Sequence, residues 1–133
     1  LLAIVPGAPG VALRAAFYSS TLTACSWETH IGFGSVFVHR DARVGVHASC
    51  GHYCVFGHVD IGSRVMIGSR VSIPSGKRQH FDERGRLSSD AGTLERVAVG
   101  DGCWIGEGAI LLASVGHECI VAAGAVVTEA APA

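Results

Sequence analysis

The side chains of this sequence that could do chemistry gather in two stretches. The first is PSGKRQHFDERGRLSSDAGTLER, residues 74–96, which carries His80 together with Lys77, Arg78, Arg84, Arg86 and Arg96, half of the ten basic residues. An ordinary imidazole titrates near neutral pH, so His80 can take a proton from a hydroxyl under physiological conditions. Such a base is worth roughly 10²–10⁴ in rate. A base of this kind needs its other nitrogen oriented, and Asp82 and Glu83 are the carboxylates nearest in sequence. The second stretch places His39, His47, His52 and His58 within 20 residues, beside Cys50 and Cys54. These are zinc-ligand types. His30 and His117 read as exposed turn residues.

The elements that must position these groups follow a period of six. Val44-Gly45, Cys50-Gly51, Phe56-Gly57, Ile61-Gly62, Ile67-Gly68 and Ile73-Pro74 form one run, with a single five-residue step from Phe56 to Ile61. Val99-Gly100, Ile105-Gly106, Val115-Gly116, Val121-Ala122 and Val127 form a second. Ala48, Cys54, Val65, Val71, Cys103, Ala109, Cys119 and Ala125 repeat a small or apolar residue four positions after most of them. Six matches neither a helix nor a hairpin meander. It matches a short strand and a bend, three of which close one triangular coil, and stacked coils bury a continuous core. Residues 31–73 and 97–128 amount to about four coils. Cys50 and Cys54 fall on inward positions, as core thiols. Val11 to Leu22 is expected to form a short helix, with Leu13, Ala16, Phe17 and Tyr18 on its apolar side, covering the open first coil.

Composition narrows the function. The 133 residues form one domain, 1–133, with an N-terminal cap over 1–30 and an extruded loop over 74–96. A net charge of -1 and only ten basic residues exclude the basic stripe of a nucleic-acid reader. The most apolar stretch, Leu1 to Leu13, is broken by Pro6, Gly7, Pro9 and Gly10. It falls short of the ~20 residues that a membrane span needs. Five Cys at irregular spacing make no disulfide framework. The expectation is a soluble cytoplasmic protein with reduced thiols.

The run VAVGDGCWIGEGAILLASVGHECIVAAGAVVTEAAPA, residues 97–133, resembles the end of the hexapeptide-repeat acyltransferases, of the galactoside, maltose and polysaccharide O-acetyltransferase type. The likeness extends over about 31–133, and PGAPGVALRAAFYSSTL is similar to the lead-in of polysaccharide-linked members. The resemblance implies an all-β, left-handed parallel β-helix and a homotrimer, with the active site between subunits. It implies acetyl-CoA, or another acyl-CoA, as co-substrate, and no metal. The acceptor would be a hydroxyl of a sugar or polysaccharide precursor. His80 matches the loop histidine that serves as base, and Trp104, Gly106, Ala123 and Thr128 match positions lining the acyl-CoA site, with Gly124 on the same floor. His52, Tyr53 and His58 are candidates for the acceptor pocket. Glu129 stands where the family often has Lys, leaving Lys77 or Arg78 to meet the coenzyme phosphates. Related enzymes continue past this point with an Asn-Pro-Ala turn and a further segment that completes part of the cofactor site.

Two other functions compete. The γ-class carbonic anhydrases share the left-handed β-helix and bind zinc through three His, reading Gly-His, four residues, then His. Here Gly51-His52 is followed by five residues and then His58, while His47 and His52 have the right gap in the wrong hexad phase. The third possibility is a non-catalytic trimeric scaffold.

Overall fold

A computed structural model describes residues 1–90 and 92–132; Ala91, inside the 74–96 segment, and Ala133 lie outside the described residues. The hexads form a parallel β-solenoid with three walls. The first wall stacks Ala24–Cys25, Arg43–Val44, Val59–Ile61 and Val97–Val99, continued by single bridges at Val115 and Ala131. The second stacks His30–Ile31, Ser49–Cys50, Met66–Ile67, Trp104–Ile105 and Ile120–Val121. The third stacks Val36–Phe37, Val55–Phe56, Ser72–Ile73, Ile110–Leu111 and Val126–Val127. Every strand pairs in parallel with the strand one coil away, so each coil's backbone groups are satisfied by its neighbours.

The apolar member of each strand points inward. Ile31, Cys50, Ile67, Ile105 and Val121 line the core side of the second wall, and Phe56, Ile73 and Leu111 that of the third. The offset positions Ala48, Cys54, Val65, Val71, Cys103 and Ala109 are buried at the corners. Burial pushes the thiol of Cys50 up to about 12, as befits an inert core cysteine.

The corners explain the glycines. Tight corners place one residue in the left-handed region, as at Gly124 (φ 71°) and Tyr53 (φ 58°). Gly106 is required for a different reason: a Cβ there would run into the backbone of Ala122 and Ala123 in the next coil.

Five coils stack, one more than the periodicity predicts. The expected repeat begins at residue 31, already inside the first coil, and the structure adds the strand Ala24–Cys25 before it. The opening corner of that coil is Ser26, Trp27, Glu28 and Thr29, without the glycine that marks the later turns, so its first strand carries no hexad signal.

One α-helix, α1, spans Gly7–Thr21 and starts earlier than expected. Pro9 lies in its first turn, where a missing N–H costs nothing because that donor has no helical partner. Its buried residues are Gly10, Arg14, Ala15 and Tyr18, while Leu13 and Phe17 are exposed. The Arg14 guanidinium ties the helix to the first coil through Ile31 O (2.8 Å) and to the N-terminal turn through Val5 O (2.8 Å). Tyr18 meets Phe37 edge-on at 5.0 Å, so the helix covers the open end of the core. Among the described residues no helix is long and apolar enough to cross a membrane.

Candidate active site

The third corner, between the third wall and the first, holds most of the reactive groups. Coil by coil it comprises residues 38–42, 57–58, 74–96, 112–114 and 128–130. The extruded segment leaves after Ser72–Ile73 and returns at Val97–Val99. Its two ends are closed on each other, because the Glu95 N–H donates to Ser75 O (2.9 Å). Gly76 (φ 79°) lies so close to the Glu95 side chain that a Cβ has no room. Lys77 Nζ donates to Thr128 O (3.3 Å), linking the start of the segment to the fifth coil.

The outer part of the segment is a small hairpin. Phe81 and Leu87 pair antiparallel around a turn in which Gly85 N–H donates to Asp82 O (2.9 Å). His80 sits at the base of this hairpin. Its carbonyl accepts the Ser88 N–H (3.0 Å), and its side chain is exposed. Asp82, one of the two carboxylates considered as its orienting partner, is otherwise engaged. It accepts from the Arg84 and Arg86 N–H groups (2.9 Å each) and from Arg86 Nε (3.1 Å). The Arg86 backbone bond is the main cause that holds its carboxyl below the ordinary value. Among the described residues no carboxylate bonds the His80 ring.

A second histidine at this corner is fully oriented. His58 Nδ1 lies 2.7 Å from Asp41 Oδ2. The His39 ring stacks on His58 at 3.9 Å and 18°. Arg96, the last residue of the extruded segment, bridges Asp41 Oδ2 (2.6 Å) and Asp60 Oδ1 (2.8 Å). Burial pushes the Asp41 carboxyl up, but the hydrogen bond from His58 and the charge and hydrogen bond of Arg96 outweigh it and hold it below the usual 3.8. Sequence reading missed this network. The available signal was coil length: Asp41 and His58 are 17 residues apart, close to one turn of the solenoid.

The depressed value carries a sign. The stabilisation from Asp41 is complete above 3.8 and is lost as pH falls through the lower folded-state value. Asp41→Asn is expected to be less stable than wild type near neutral pH, with the gap closing in acid. Urea unfolding across pH checks this, and a gap of constant size down to strong acid contradicts it.

The remaining candidates lie elsewhere. Trp104 faces outward from the second wall, 55% exposed, in register with Met66 and Ile120. Gly106, Ala123 and Gly124 stack at the second corner in adjacent coils, and the Cβ direction of Gly124 is open. His52 and Tyr53 occupy the same corner in the second coil. His52 lines a groove of about 830 Å³ between α1 and the first coils, with Trp27, Thr29, His30 and Phe33. The Tyr53 ring lies over Gly34 and meets Phe33 edge-on at 5.5 Å. The structure therefore brings His58, His80 and Thr128 to the third corner, and His52, Tyr53, Gly106, Ala123 and Gly124 to the second, with the third wall between them.

The zinc arrangement fares differently. His47, His52 and His58 project from three different corners. Among the described residues no three His, Cys, Asp or Glu side chains gather to hold a metal ion.

With this geometry in place, comparison with known proteins adds one match. Residues 96–129, the fourth and fifth coils, match the family profile described as the hexapeptide repeat of succinyl-transferase. No curated protein matches the chain. The class is thus a parallel β-solenoid whose last two coils match a hexapeptide-repeat profile.

Proposed function

We propose that this protein is an acyl-CoA-dependent O-acyltransferase, transferring acetyl to a hydroxyl of a sugar or polysaccharide precursor. The observation that carries the reading is one juxtaposition. The extruded hairpin with His80 leads directly into the two coils that match the succinyl-transferase repeat. In this reading the solenoid is left-handed and the protein is cytoplasmic. His80 takes the proton of the acceptor hydroxyl, whose oxygen attacks the thioester carbonyl directly. The thiolate of coenzyme A leaves and recovers a proton, with no covalent enzyme intermediate. Holding the two reactants together supplies a further large part of the rate.

Coenzyme A enters as co-substrate. The second corner fits a thin pantetheine arm, because Ala123 and Gly124 offer a nearly bare backbone shelf beside the exposed Trp104 ring. Thr128 shares the third corner with His80 while Gly106, Ala123 and Gly124 lie at the second, so the cofactor candidates of one chain do not all meet around its own His80. A homotrimer resolves this, with the third corner of one copy facing the second corner of its neighbour. His52, Tyr53 and His58 then belong to the acceptor side. The test is whether the purified protein binds acetyl-CoA and releases coenzyme A thiol when a simple glycoside is added.

A further inference from the structure

We propose that the Asp41–His58 pair binds a hydroxyl of the acyl acceptor, His58 accepting its hydrogen bond at Nε2 and Asp41 acting as the positioning residue. This rests on the acyltransferase reading and sharpens it to a particular atom.

Asp41 is ionised and can only accept, so Nδ1 of His58 must donate across the 2.7 Å contact. In the neutral ring the proton is therefore on Nδ1, and Nε2 of that form is a bare acceptor. Two other histidines are fixed the opposite way. His52 Nδ1 accepts the Phe33 N–H (2.9 Å), and His117 Nδ1 accepts the Asp101 N–H (3.0 Å), so both carry the proton on Nε2. Of the three whose tautomer a hydrogen bond sets, His58 alone presents a bare nitrogen.

The ring is also held in place. The His58 N–H donates to Ser75 Oγ (3.0 Å) and its carbonyl accepts the Val97 N–H (2.9 Å). Those partners stand at the two ends of the extruded segment, so His58 is clamped at the root of the hairpin that carries His80. His39 covers one face of the ring. The charged and titratable groups around it are His39 and Asp41, with Arg96 and Asp60 behind Asp41. The side chain remains 20% exposed, leaving an edge for a ligand.

A bare nitrogen on a ring oriented by Asp41 recognises a donor. It fits a neutral polyol and disfavours a carboxylate or phosphate at the same position, since neither offers a proton at neutral pH. A simple clamp for the loop root would need the Asp41–Arg96 pair but would not need a fixed tautomer.

The experiment uses the full chain, with acetyl-CoA and methyl glycosides as acceptor probes. Thiol release is measured in wild type, Asp41→Asn and His58→Gln, and histidine ¹⁵N spectra report the tautomer. Thermal melts check that each variant folds. In Asp41→Asn the His58 resonances should shift away from the pure Nδ1–H form. In both variants the KM for the glycoside should rise about tenfold, the worth of one lost hydrogen bond, while the KM for acetyl-CoA holds. Glycoside KM values within about twofold of wild type in both variants overturn the proposal, as does a fall confined to kcat. Wild type that neither binds nor turns over acetyl-CoA overturns the acyltransferase reading itself, and the role of the pair with it.

Discussion

Replacing His80 with Ala should lower turnover by about 10²-fold or more while leaving the fold and acetyl-CoA binding intact. The expectation follows from how the residue is held. His80 stands on the extruded hairpin with an exposed ring, and its carbonyl accepts the Ser88 N–H. Among the described residues its ring makes no side-chain hydrogen bond, so thermal stability should move little. The chemistry, by contrast, loses its proton acceptor. Steady-state thiol release, with acetyl-CoA affinity measured separately, checks the prediction. Turnover unchanged in His80→Ala removes this residue from the mechanism and leaves His58 as the oriented base of the third corner.

The largest effect on stability is expected at Phe56. This side chain is fully buried on the third wall, and its ring lies 4.7 Å from Phe37 in the coil before it. Phe37 in turn meets Tyr18 of the capping helix, so one aromatic column ties the helix to the first two coils. Phe56→Ala removes the centre of that column and opens a cavity that stiff neighbouring coils cannot collapse to fill. A cost of about 3–5 kcal/mol is expected. That is a large share of the roughly 5–15 kcal/mol that holds a domain folded, and the thermal midpoint should fall by on the order of 10 °C. Val126→Ala, on the exposed side of the same wall, is the control and should change stability by no more than about 0.5 kcal/mol. Similar melts for both variants would mean that the aromatic column does not carry the first coils.

The inward positions were legible because a solenoid buries one residue per hexad, whatever its neighbours do. Phe56, Ile67, Ile105 and the corner residue Cys54 could each be assigned from phase alone. The five-residue step from Phe56 to Ile61 did not spoil this, because the shortening falls in the corner and not in a strand. The opening strand of the first coil was illegible because its corner turns without glycine, on Trp27 and Glu28. Helical periodicity also misdirected the cap. Arg14 is buried while Leu13 and Phe17 are exposed, since backbone carbonyls of Leu2, Val5 and Ile31 surround the guanidinium and no apolar surface is offered there.

The candidate site was legible in its parts and not in its assembly. His80 and the small-residue corner at Gly106, Ala123 and Gly124 could be picked out along the chain. Nothing local indicated that Asp82 would face Arg86 or that Asp41 would orient His58. Both depend on which side chains meet across a coil, and that is set by register. Nor does the sequence carry the separation of the two corners by a full wall.

The most direct test of the central claim is calorimetric titration of the purified protein with acetyl-CoA. Saturable binding approaching one site per chain is the predicted result. A flat titration, in protein whose melt shows it folded, contradicts the claim and leaves the solenoid as a scaffold.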